Sequence, residues 1–207
     1  RGYKTILCTK DDKLGGLLNT AAIPPEKQDL RCFIENKKYE LEQLGVDIRL
    51  NTEVTGALIH EIQPYFVVDA TGGDVVIPPI KGIDKDNVYT AEQVLNASPE
   101  LLAKVKKGSV VVIGGGNTAM DTARAAKRNA GVEKVSLVYR RTKRYMPADE
   151  EELVMAIDDG VEFAELLAPV KLENGELICR KMQLGDYDAS GRRSVVETEE
   201  IVKIAAD

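Results

Sequence analysis

Hydrophobic and polar positions fall in short, well-separated blocks along this chain, and each block predicts one element. Tyr3 to Cys8 reads as a buried strand. Pro24-Pro25-Glu26 opens a helix in which Leu30, Phe33, Ile34, Leu41 and Leu44 recur at helical spacing, and Gly45 stops it. Val46 to Leu50 alternates as a strand does. The mixed run Ala57-Leu58-Ile59-His60-Glu61-Ile62 is expected to be a surface strand. Another β-forming run, Tyr65 to Val68, leads into the small residues Asp69-Ala70-Thr71-Gly72-Gly73. Ile77-Pro78-Pro79-Ile80-Lys81-Gly82-Ile83 excludes helix and marks a connector. Thr90-Ala91-Glu92-Gln93 then has the form of a capping box that starts a helix toward Val105.

The second half is more specific. Ser109 to Ile113 carries four β-formers straight into Gly114-Gly115-Gly116-Asn117-Thr118-Ala119, with glycines at the first and third places of G-x-G-x-x-A. An alanine-rich helical stretch follows from Met120 to Ala130, and then a strand from Lys134 to Tyr139. Strand, tight turn, helix and strand make a β-α-β unit of about thirty residues, the size of a dinucleotide-binding unit. Such a turn aims backbone N–H groups and the positive end of the helix dipole at one spot, where a pyrophosphate is held without a charged side chain. The alternative is a purely structural turn, since any close strand-to-helix crossing favours the same glycines.

Beyond the unit, Ala148 to Leu153 begins an acid-rich helix that ends at Gly160; acids in a first turn complement the helix dipole, so the run is read as structural and not as a metal site. Val161 to Leu167, a hairpin turned at Asn174-Gly175, and a polar turn at 188–191 before Val195-Val196 predict a late antiparallel β segment. The expected fold is α/β: a partial α/β region followed by a Rossmann-like domain with a parallel sheet, helices and an antiparallel segment. No solenoid repeat is present, although two nucleotide-fold-like regions echo one another.

Charge decides which nucleotide. An NAD site carries an acid at the end of the second strand to accept from the ribose 2′-hydroxyl, whereas this chain has Arg140 and Arg141, with Lys143 and Arg144 close behind. A planar guanidinium matches phosphate oxygens bidentately, so NADPH is expected over NADH; the alternative is a solvated basic loop. The net charge of −6 makes a nucleic-acid surface unexpected. No apolar run approaches the roughly 18 residues of a membrane span and no signal peptide opens the chain, so a soluble, cytoplasmic protein is expected. Three widely spaced cysteines, Cys8, Cys32 and Cys179, indicate neither a disulfide framework nor a zinc site, and the single histidine, His60, reads as a surface residue. No catalytic side chain and no metal ligand stand out.

Over nearly its whole length the chain resembles the flavin and pyridine-nucleotide module shared by the glutamate synthase small subunit, the ferredoxin-dependent transhydrogenases and the 2,4-dienoyl-CoA and 2-enoate reductases. Val111 to Asp121, then Val138-Tyr139-Arg140-Arg141 and Met146-Pro147-Ala148, look like the NADPH domain of the first group. Leu14 to Leu18, Pro24-Pro25, Leu44-Gly45-Val46 and Asn51 to Thr55 are closer to the FAD domain of the reductases. The resemblance implies an NADPH domain inserted into an FAD domain, and hydride passing from NADPH to FAD and on to a further flavin or iron–sulfur centre.

It also implies boundaries: residues 1–80 as part of an FAD-binding domain, 81–92 as a connector and 93–207 as the NAD(P)H-binding domain. The FAD pyrophosphate fingerprint is expected before Arg1 and the closing segment of that domain after Asp207, so this stretch alone is expected to be inactive. The implied NADPH residues are Gly114, Gly115, Gly116, Asn117, Thr118, Ala119, Arg140, Arg141 and Arg144. The implied FAD residues are Lys10, Gly15, Gly16, Val54, Ala70, Thr71 and Gly72, with Thr9 where the family has an acid for the FAD ribose. Two other readings stay open: a non-catalytic nucleotide-sensing or docking domain, and a thioredoxin-reductase-like disulfide reductase, which the absent C-x-x-C disfavours.

Overall fold

The computed structural model describes residues 2–97, 108–189 and 191–207. The chain divides into two compact units, Arg1–Val75 and Val76–Asp207.

The first unit pairs two short parallel strands, β1 (Ile6–Cys8) and β2 (Asp47–Arg49), with Ile6 opposite Asp47 and Cys8 opposite Arg49. Between them run α1 (Leu17–Ala21), a 3-10 turn at Pro25–Lys27 and the long α2 (Asp29–Gln43). Proline suits the opening of such a turn, because the N–H it lacks has no intrahelical partner there. Gly45, at φ 63°, ends α2 and donates its N–H to Glu42 O at 3.0 Å. Of the helically spaced apolar residues only Ile34 is buried; Phe33 and Leu44 are 49% and 77% exposed.

Two strand expectations fail in this unit. Ala57 to Ile62 belongs to α3 (Gly56–Ile62), with His60 exposed in its last turn. A six-residue mixed run fits either period, and the N-cap decides: the Thr55 hydroxyl accepts from Leu58 N–H at 3.3 Å. Tyr65 to Val68 forms no strand, because no neighbouring strand offers it a ladder among the described residues; Tyr65 and Val68 are 90% and 80% exposed.

In the second unit α4 (Ala91–Leu95) starts on the expected capping box, with Thr90 Oγ1 accepting from Gln93 N–H and Gln93 Oε1 from Thr90 N–H. The continuation toward Val105 lies outside the described residues. The central unit then runs β3 (Gly108–Ile113), α5 (Asn117–Lys127) and β4 (Val132–Tyr139), so the helix starts earlier and ends sooner than the alanine pattern predicts. After a 3-10 turn at Lys143–Tyr145 come α6 (Glu150–Asp158) and β5 (Glu162–Glu165). Strands β3, β4 and β5 are parallel, in that order across the sheet, with Val110 opposite Val135 and Val112 opposite Leu137.

Alternation along these strands separates two cores. Val110, Val112, Val135 and Leu137 face α5 and α6, packing with Met120, Ala123, Leu153 and Ala156. Val111 and Val138 face the other way and pack with Leu167, Leu177, Cys179, Val202 and Ile204. Those residues come from an antiparallel sheet of β6 (Leu167–Glu173), β7 (Glu176–Tyr187) and β8 (Arg193–Ala205). Burial on both faces explains the continuous apolar run of β3. The chain breaks between β5 and β6 at Leu166, φ 58°, and turns between β6 and β7 at Asn174 and Gly175, φ 53° and 72°, the pair of left-handed residues a type I′ hairpin needs. Among the described residues no helix is long and apolar enough to cross a membrane.

Candidate functional site

The three consecutive glycines between β3 and α5 serve three different ends. Gly114 N–H donates to Val138 O at 3.1 Å, tying the turn to β4; its φ is 155°, and a β-carbon there would lie 3.0 Å from that of Ala119. Gly114 with Ala119 therefore sets how closely helix meets strand. At Gly115 a β-carbon would enter the ring of Tyr139, the last residue of β4. Gly116 is different: its backbone is extended, with φ −100° and ψ 170°, and a β-carbon there would meet nothing within 4 Å. The protein's own packing gives no reason for glycine at this position.

Gly116 is also the N-cap of α5, and it supplies no side-chain acceptor. Its carbonyl accepts from Ala119 and Met120 N–H at 2.9 and 3.3 Å, while Asn117 and Thr118 begin the helix without a capping oxygen. Their N–H groups point along the axis with the positive end of the dipole, a combination suited to an anion.

A basic loop follows β4. Arg140 and Arg144 are exposed, and Arg141 is half-buried with its Nε atom covered and without a hydrogen-bond partner. The loop is fastened on one side to β5, where Lys143 N–H donates to Glu165 Oε2 at 2.8 Å and Leu166 N–H to Arg141 O at 3.2 Å. On the other side it is fastened to the glycine turn. Tyr139 OH donates to Tyr145 O at 3.0 Å, and Ala148 N–H to Gly115 O at 3.0 Å. Asn117 Nδ2 donates to Asp149 Oδ2 and Asn117 Oδ1 accepts from Asp149 N–H, both at 2.9 Å. The structure thus joins residues 114–119 to the loop carrying Arg140, Arg141 and Arg144. The sequence reading missed Tyr139 and Asp149 as the joining side chains; glycine at the middle place of G-x-G, with an aromatic residue closing the next strand, was the available signal for Tyr139.

The residues implied for FAD sit in the first unit. Lys10 is exposed on the loop after β1, which is held to the end of β2: Thr9 N–H donates to Arg49 O, Thr52 N–H to Thr9 O and Asn51 N–H to Asp11 O, at 3.0, 2.8 and 2.9 Å. Gly15 and Gly16, at φ 114° and 47°, lead into α1, with the Asn19 amide donating to Leu14 O and Gly16 O. Val54 is exposed two residues beyond Thr52. Ala70, Thr71 and Gly72 lie in an exposed segment without regular secondary structure, where hydrogen bonds from the Thr71 hydroxyl and N–H hold the Asp69 carboxyl below the usual carboxylate range. No hydrogen bond among the described residues joins that segment to Lys10 or to the two glycines.

Among the described residues no cluster of histidine, cysteine, aspartate or glutamate has the makings of a metal site. Burial pushes the Cys179 thiol up to about 11, which keeps it protonated and unreactive near neutral pH.

Comparison with known proteins identifies the family. Residues 60–165 match the family model of the pyridine nucleotide-disulphide oxidoreductases. The chain is 43% identical to Escherichia coli YgfK over 144 residues, which are 69% of this chain and 14% of that protein. It is 30% identical to the Escherichia coli glutamate synthase [NADPH] small chain over 219 residues, covering 93% of this chain and 44% of that one. Its fold matches that of Mycobacterium tuberculosis FprA with a TM-score of 0.77 at 16% identity, over 98% of this chain and 62% of the other. The chain spans about half or less of the length of these curated relatives. With its parallel sheet, glycine turn and helix inside a family match that takes in half of the residues, the chain belongs to the pyridine nucleotide-disulphide oxidoreductases, a family of flavin-dependent enzymes.

Proposed function

We propose that this chain is the NADPH-binding part of a flavin-dependent oxidoreductase that moves reducing equivalents from NADPH to FAD and on to a further redox centre, a flavin or an iron–sulfur cluster. Residues 93–207 form the NADPH domain, 81–92 the connector and 1–80 part of the FAD domain. The observation that supports the reading is the fastening of the loop that carries Arg140, Arg141 and Arg144 to the glycine turn, at whose end α5 begins without a side-chain cap. Relatives named for NADPH, such as the glutamate synthase small chain, support the choice of nucleotide.

The residues fit the cofactor. Gly116 leaves open the space that a β-carbon would fill, as close approach of a pyrophosphate requires. Asn117 and Thr118 donate backbone N–H groups to it, and Gly114 with Ala119 sets the distance between helix and strand. Arg140, Arg141 and Arg144 hold the 2′-phosphate. Lys10, Gly15, Gly16, Val54, Ala70, Thr71 and Gly72 line the FAD site. The nicotinamide and flavin supply the two-electron chemistry when bound, and the protein's part is to orient them and exclude water. No side chain is assigned an acid or base role.

Titration calorimetry of the chain with NADP+ and NAD+ tests this. NADP+ binds more tightly, and Arg140→Ala or Arg141→Ala, each losing a charge-assisted contact, weakens NADP+ by about tenfold or more while leaving NAD+ nearly unchanged. Equal affinities for the two nucleotides would overturn the reading.

A further inference from the structure

We infer that Asp149, Asn117 and Tyr139 form a clasp that sets selectivity for the 2′-phosphate by holding the basic loop in place before the nucleotide arrives. The inference rests on the assignment of Arg140, Arg141 and Arg144 to that phosphate. Asp149 is at the N-cap of α6 with the extended backbone of a capping residue, yet its side chain caps nothing in its own helix. Its carboxylate accepts instead from Asn117, 32 residues earlier in the chain, and Asn117 returns the contact to Asp149 N–H, both at 2.9 Å. Tyr139 closes the other end: its ring lies over Gly115, and its hydroxyl donates to Tyr145 O at 3.0 Å, next to Arg144.

Everything between these two anchors is the basic loop. Without them the loop would still be tied to β5 through Lys143 and Arg141 and to the turn through Ala148 N–H, but ordering the rest of its side toward the glycine turn would fall to the binding step and weaken it. The pyrophosphate is read by the glycine turn in NADP+ and NAD+ alike, so the clasp bears on the difference between the two nucleotides. These three are positioning residues that act through the arginines.

Calorimetric titration with NADP+ and NAD+ of the wild type, Asp149→Ala, Asp149→Asn and Tyr139→Phe is the test. Asp149→Ala weakens NADP+ about three- to tenfold and shifts NAD+ by less than about twofold. Asp149→Asn, whose amide oxygen still accepts from Asn117, recovers wild-type selectivity. Tyr139→Phe keeps the ring on Gly115, loses the hydroxyl bond and moves selectivity the same way. On an Arg140→Ala, Arg141→Ala, Arg144→Ala background, Asp149→Ala causes no further loss of selectivity. Equal weakening of both nucleotides by Asp149→Ala, or failure of Asp149→Asn to recover selectivity, overturns the clasp. Wild-type selectivity that survives Asp149→Ala and Tyr139→Phe overturns the clasp alone, whereas equal binding of NADP+ and NAD+ by the wild type overturns it together with the assignment beneath it.

Discussion

Replacing Gly116 by alanine separates binding from folding. The position has an extended backbone that any residue adopts, and a β-carbon there would meet nothing within 4 Å. Two small opposing terms act on stability. Alanine is a poorer N-cap than glycine by up to about 1 kcal/mol, and it restricts the unfolded chain to a gain of about 0.4–1 kcal/mol. The net change stays within about 1 kcal/mol, or roughly 4 °C in Tm for a chain of this size. Binding changes far more, because the new methyl stands where backbone and pyrophosphate meet and removes at least one charge-assisted hydrogen bond, a loss of more than about tenfold in affinity for NADP+. Gly115→Ala is the contrast. Its β-carbon enters the Tyr139 ring, so overpacking of about 1–3 kcal/mol lowers Tm by several degrees whatever its effect on the nucleotide. Thermal melts and NADP+ calorimetry on both variants measure the two effects. If Gly116→Ala melted like the wild type and bound NADP+ like the wild type, the pyrophosphate would not sit on this turn.

Two further outcomes are expected. Asp159 accepts from Arg124 Nε at 2.7 Å with Arg128 at 3.2 Å, and the Arg124 hydrogen bond foremost holds its carboxyl below the usual 3.8. A carboxyl depressed in the folded state contributes stability that is complete above 3.8 and lost as pH falls through the folded value, so Tm between about pH 5 and pH 2 drops more steeply in the wild type than in Asp159→Asn; parallel curves would contradict this. Iodoacetamide at about pH 8 labels the exposed Cys32 of the folded protein and spares Cys179 until unfolding, as read by peptide mass spectrometry, and equal labelling rates would refute the burial argument.

How much of this was legible in the sequence differs from element to element. Ser109 to Tyr139 was readable because a β-former run, spaced glycines and an alanine-rich helix agree with one another, and Asn174-Gly175 because a two-residue left-handed turn accepts few other pairs. The separate reasons for Gly115 and Gly116 were not readable, since they depend on a ring 24 positions away in one case and on open space in the other. Asp149 looked like one acid among several at a helix start, and its bond to Asn117 exists only once β4 and α5 have packed. In the first unit β-propensity misled at Tyr65 to Val68, where no strand among the described residues lies alongside, and the six-residue run ending at Ile62 was settled by a threonine cap that apolar periodicity ignores.

The central claim is that the glycine turn and the basic loop form one nucleotide site in two parts, the loop reading the phosphate that distinguishes NADP+ from NAD+. Backbone amide NMR of the uniformly 15N-labelled chain during titration with each nucleotide tests it most directly. Both nucleotides are expected to shift the amides of Gly114 to Thr118, and NADP+ alone to shift those of Arg140 to Arg144 strongly. Shifts centred elsewhere, or the same pattern in the loop for both nucleotides, would contradict the account.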